Sequence, residues 1–105
     1  LRADVNYTQG WVTLNCGDPV GAIEHLRLAL DEYRELGEYD GFGYPMHAMA
    51  QCYLTMGNFD GLRECIAETT EVNKLATIKG TRLRSLIRTI QEMIDAEEPR
   101  EDSEG

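Results

Sequence analysis

Two histidines and three cysteines are the side chains of this 105-residue chain best suited to metal or covalent chemistry, and their spacing decides whether they do any. His25 and His47 fall in separate apolar-periodic segments. Neither belongs to an H-E-x-x-H or Glu-x-x-His pattern, the spacings that set two ligands on one helix face. No metal site is therefore expected, and no cofactor. Cys16, Cys52 and Cys65 are odd in number and form no C-x-x-C pair, which argues against both a disulfide framework and a zinc ribbon. A cysteine nucleophile needs an imidazole beside it. His47 lies five residues before Cys52, and on one helix that spacing points the two side chains in different directions. All three cysteines sit among helix-period apolar residues, so they are expected to be reduced and to pack as small hydrophobes. Gly41 and Gly43 are neither preceded by a strand nor followed by Lys-Ser/Thr, so they do not make a phosphate loop. With none of these constellations present, the chain reads as no enzyme.

Charge gives the next exclusion. Ten Lys and Arg against nineteen Asp and Glu leave a net charge of −9, which disfavours direct contact with nucleic acid. No apolar run approaches the roughly 20 residues of a membrane helix, and no basic-then-apolar signal precedes the pattern that opens at Leu1. A cytoplasmic protein with no membrane partner is expected. The charge is unevenly placed: residues 1–73 carry four basic and twelve acidic side chains, whereas 74–91 carry five basic ones (Lys74, Lys79, Arg82, Arg84, Arg88) and no acid. Lys79, Arg82, Arg84 and Arg88 read as a basic docking face, on a helix whose apolar positions alternate with them.

The elements that must position these residues are all helical. Ala3, Tyr7, Gly10, Trp11 and Leu14 form a first stripe that stops at Cys16-Gly17-Asp18-Pro19. Asp18 caps a second helix with Pro19 in its first turn, and Ala22, Leu26, Ala29, Leu30 and Tyr33 carry it to Gly37. Residues 38–44 read as a turn, after which Met46, Met49, Ala50, Tyr53 and Leu54 make a third stripe that ends at Gly57-Asn58. Met46, Met49 and Met56 are expected to fill core space. Leu62, Ile66, Thr69 and Val72 mark a fourth helix, and Leu83, Leu86, Ile87, Ile90, Met93 and Ile94 a fifth. The spans predicted are about 3–16, 19–36, 44–56, 59–73 and 77–96, one domain over 1–96, with 97–105 as an acidic disordered tail. Nothing alternates with period two, so the fold class is all-α.

The chain also resembles itself. Gly17 overlays Gly57, with Gly10 on Ala50, Thr13 on Tyr53, Pro19 on Phe59 and Ala22 on Leu62, a repeat of 40 residues. Spacings of about 20–50 residues are the mark of helical arrays. At these positions the sequence resembles the tetratricopeptide repeat (TPR) family. Gly10, Gly17-Asp18, Ala22 and Ala29 carry the likeness in the first unit, and Ala50, Tyr53, Gly57 and Phe59 in the second. Thr13, Pro19, Leu62 and Thr69 depart from the family pattern, and 40 exceeds its usual spacing of about 34. The run through Ala22-Ile23-Glu24-His25-Leu26 and Arg34-Glu35-Leu36-Gly37 is similar to the long-repeat TPR regions of bacterial transcriptional regulators.

The resemblance implies a right-handed helical-hairpin solenoid of about five helices, the fifth being a cap or half repeat. It implies a scaffold or adaptor that binds a protein, peptide or partner helix in a concave groove lined by the first helix of each hairpin. Carried over by position, the groove residues are Tyr7, Trp11, Asn15, Tyr44, His47, Gln51 and Thr55. Tyr7 and Trp11 would anchor an apolar side chain, unless Trp11 is core, and the Gln51 amide would fix a bound backbone. The family's carboxylate clamp for chaperone tails needs cations where Tyr7 and Trp11 stand, so chaperone binding is not expected. The alternative is a self-associating or regulatory segment that docks through the basic fifth helix. It follows from the expectation that two and a half hairpins leave an apolar end uncovered, which would favour a homo-oligomer.

Overall fold

The computed structural model describes residues 2–75 and 81–97. These residues form five helices: α1 (Arg2–Asn15), α2 (Pro19–Leu36), α3 (Tyr39–Met56), α4 (Phe59–Leu75) and α5 (Thr81–Glu97). There is no strand among the described residues. Successive helices pack on one another, and α3 also touches α1 and α5, so the odd-numbered helices lie side by side.

The two interhelix turns that the repeat brought into register are built alike. Gly17 and Gly57 sit at φ 90° and φ 70°, a backbone region in which a Cβ would clash. Their N–H groups donate to Leu14 O and Leu54 O, and the next residues, Asp18 and Asn58, donate to Thr13 O and Tyr53 O. The side chains of Asp18 and Asn58 then each accept the N–H of the residue three positions on, Gly21 and Gly61, at 2.9 Å. Each hairpin thus closes its first helix and opens its second with the same three hydrogen bonds, 40 residues apart.

The core runs through Leu26 and Leu30 of α2, Phe42, Met46 and Met49 of α3, Leu62 and Val72 of α4, and Leu83 and Ile90 of α5, all at most 1% exposed. Helix α3 is the hub, because it packs against all four other helices. Across it, Glu68 of α4 accepts two hydrogen bonds from Arg27 of α2, at 2.7 and 3.0 Å, and one from Arg34 at 3.2 Å. The Arg27 guanidinium is held in its charged form chiefly by that bond to Glu68, against the cost of its partial burial.

Three sequence expectations are corrected here. The third helix starts at Tyr39 and not at 44, with Pro45 inside it. Packing overrides the local signals: Phe42 is fully buried, and Gly41 lies so close to the Tyr33 ring of α2 that a Cβ there would overlap it. Cys16 is exposed, because it follows the last residue of α1 and belongs to the turn. Met56, the final residue of α3, is 37% exposed and fills no core space. Helix α5 turns Arg84, Arg88, Gln91, Glu92 and Asp95 outward. The other helix bounds agree to within two residues, apart from the start of the fifth. Residues 76–80, which include Lys79, and the tail beyond Glu97 lie outside the described residues, while Glu97 itself closes α5.

Candidate functional site

An open cavity of about 350 Å³ lies where the three odd-numbered helices meet. Tyr7 of α1, Gly43, Tyr44 and His47 of α3, and Ser85, Leu86 and Thr89 of α5 line it. The helical period places them: 44 and 47 share a face of α3, and 85 and 89 share a face of α5. Gly43 is buried and leaves room beside Tyr44, which is half exposed. The Tyr7 and Tyr44 rings stand 6.4 Å apart between centroids, and Tyr7 meets Trp11 edge-on, also at 6.4 Å. Among the described residues, no carboxylate, guanidinium or ammonium group lines the space. Two phenol rings, an imidazole, a leucine and two hydroxyls make a wall suited to an apolar or aromatic group with a hydrogen-bonding edge, at the small end of the volumes usual for ligand pockets.

Of the seven groove residues expected from the sequence, three meet at the cavity: Tyr7, Tyr44 and His47. Trp11 touches Tyr7 and packs against the core, and it does not line the space. Gln51 is half-buried one turn beyond His47, while Asn15 and Thr55 are exposed near the C-terminal ends of their helices; these three do not join the cavity wall. Among the basic face, Arg84 and Arg88 are exposed on α5, and Arg82 lies in its first turn. Ser85, Leu86, Thr89 and Gly43 are the residues that residue-by-residue transfer did not reach. Their signal is the reading of the fifth helix as the first half of a third unit, since first helices line the groove.

Two of the three cysteines are buried. Loss of hydration pushes the Cys52 thiol up to about 11 and the Cys65 thiol up to about 12, so both stay protonated at neutral pH and act as packing groups. Tyr53 is raised by the same cause. Thr69, fully buried on α4, donates its hydroxyl proton to Cys65 O at 2.7 Å. Among the described residues no three His, Cys, Asp or Glu side chains gather as a metal site, and no helix is long and apolar enough to cross a membrane.

Comparison with protein-family models, curated proteins and solved structures yields no match to this chain.

Proposed function

We propose that the chain is a TPR-like interaction module that binds a peptide or partner helix on the face made by α1, α3 and α5. In this reading it has no catalytic role, and it works in the cytoplasm as a scaffold or adaptor. One observation carries the proposal: the cavity of about 350 Å³ opens on the odd-numbered helices and includes Tyr7, Tyr44 and His47. A bound segment inserts one apolar or aromatic side chain there, and its backbone runs along the half-buried Gln51. A buried anchor of this kind supplies a large share of the energy in many peptide interfaces.

The test is selection of binders from a random peptide display library, followed by affinity measurements on individual peptides. The expected winners share one apolar or aromatic position. They lose at least about tenfold in affinity to Tyr44→Ala and to the cavity-filling Thr89→Trp, in line with loss of one anchor. They also shift the fluorescence of Trp11, which lies against Tyr7. Winners that bind both variants as tightly as the wild-type chain sink the reading.

The second reading, a regulatory segment that docks on an acidic surface through α5, rests on the exposure of Arg84 and Arg88, with no acid on that helix before Glu92. It predicts selection of acidic peptides lost to Arg84→Glu/Arg88→Glu and indifferent to Tyr44→Ala.

A further inference from the structure

Helix α5 carries its charges in the reverse of the order that favours a helix. Anions are stabilised in the first turn and cations in the last, because the helix dipole is positive at its N-terminus. Helices α2 and α4 follow this order, with Arg34 and Lys74 in their last turns and Asp60 in the first turn of α4. In α5, Arg82, Arg84 and Arg88 occupy the first half and Glu92, Asp95 and Glu97 the second, with no acid in the first turn and no base in the last. Pairing does not offset the cost. Arg27, Arg34, Arg63 and Lys74 each meet a carboxylate, whereas Arg84 and Arg88 form no ion pair among the described residues. Glu92 stands four residues after Arg88, but a cation placed N-terminal to its acid is the weaker order for such a pair.

The reversed charges stand beside the cavity. Arg84 directly precedes Ser85 and Arg88 directly precedes Thr89, the two residues that give the α5 wall its hydroxyls. Arg88 is also one turn on from Ser85 and only about 60° around the helix from it. Both arginines are exposed, while the wall itself is uncharged among the described residues. A neutral socket therefore adjoins a positive rim, in a chain of net charge −9. A group that gives up its water in the socket has to be uncharged, and one held at the rim has to be anionic. Breaks of a local helix rule with no local compensation belong to functional positions more than to the fold.

We propose that the partner is an acidic peptide: the side chain seated in the cavity is flanked, within about three residues, by an Asp or Glu whose side-chain carboxylate pairs with Arg84 and Arg88. Three extended residues span about 10 Å, enough to cross one helical turn and meet an arginine. The inference rests on the reading of the cavity as a peptide anchor site and adds the chemistry of the flanking residue. It makes the neutral socket and the basic helix one site, where the second reading keeps them apart.

Peptides selected on the wild-type chain test this first by their sequences, which are expected to carry an Asp or Glu within three residues of the shared apolar or aromatic position. One such peptide and its Asn or Gln counterpart are then measured by binding kinetics on the wild-type chain, on Arg84→Gln/Arg88→Gln and on Arg84→Glu/Arg88→Glu. Neutralising the peptide's acid is expected to cost about fivefold in affinity on the wild type, the upper range for one exposed ion pair, and nothing further on the Gln variant. That loss falls mainly on the association rate and shrinks as salt is added, whereas Tyr44→Ala speeds dissociation. Selection on the Glu variant returns Lys or Arg at the flanking position. Because the arginines oppose the helix dipole, the Glu variant melts no lower than the parent; a lower melting temperature overturns the inference, since the arginines would then serve the fold. Peptides that need Tyr44 but tolerate loss of their acid and both arginine changes also overturn it and leave the cavity reading standing. Acidic peptides that need Arg84 and Arg88 but not Tyr44 overturn it in favour of a separate docking face on α5. Peptides indifferent to every variant sink both readings, as does a selection that returns none.

Discussion

Helices α1 and α3 begin from the same pattern and end in the same turn, yet one is an edge and the other a hub. At matching positions α3 has Pro45, Ala48 and Cys52 fully buried, whereas α1 has Val5 and Val12 more than half exposed. The cap atoms behind them are the same, so local structure does not account for the difference. A neighbour does: α3 has α2 on that side, and α1 has none among the described residues. A position in a repeat is therefore read correctly only with its neighbours. An identical register makes a core residue in one unit and a surface residue in the next.

The sharpest way to break the comparison is to put a charge at both members of one pair. Cys52→Asp places a carboxylate at a site with no exposure, and is expected to cost about 4 kcal/mol or more and to erase cooperative unfolding in urea. Val12→Asp, its counterpart, is expected to change monomer stability by less than about 0.5 kcal/mol, as usual for a surface substitution. Equal losses at the two positions would mean that α1 is also covered.

Alkaline titration sharpens the same contrast. The folded state keeps protons on the Cys52 and Cys65 thiols up to about pH 11 and 12, while the unfolded chain releases them near its ordinary value. Stability is thus fully present below about pH 8.5 and falls as pH rises above it, by up to about 1.4 kcal/mol per unit for each thiol. Urea midpoints measured from pH 8 to 10.5 are expected to fall less steeply in Cys65→Ala than in the parent.

The glycines that follow the two caps supply a third test. A Cβ at Gly61 overlaps the Tyr53 ring, which is stiff, so Gly61→Ala is expected to cost about 1–3 kcal/mol in thermal denaturation. A Cβ at Gly21 meets the end of the Asp18 carboxylate, which turns aside only by loosening its cap on the Gly21 N–H; the helix propensity gained offsets that loss, and Gly21→Ala is expected near zero. Smaller again is the bridge across the hub. Glu68→Ala leaves Arg27 and Arg34 without that partner, but both guanidiniums reach solvent, so about 1 kcal/mol is expected from chemical denaturation.

Much of this was legible in the chain. Asp18-Pro19, Gly37 and Gly57-Asn58 marked helix ends because caps and left-handed turns are satisfied within a few residues. Tyr7, Tyr44 and His47, named by transfer from the TPR pattern, line one cavity. The first turn of α3 was not legible. Gly41, Gly43 and Pro45 are poor helix formers, and tertiary contacts such as the burial of Phe42 and the Tyr33 ring over Gly41 hold the helix there. Cys16 and Met56 failed for a related reason: periodicity continues past a helix end on paper, while the chain turns away.

By itself, the sequence determined the helices, their caps and the 40-residue register, all of which depend on interactions between residues near in the chain. Only the tertiary structure decided which apolar stripe became core. It also decided that α5 would turn Arg84 and Arg88 outward, and that Ser85 and Thr89 would line a cavity with Tyr7 and Tyr44. Burial depends on what lies across from a residue, and those partners come from helices far away in the chain.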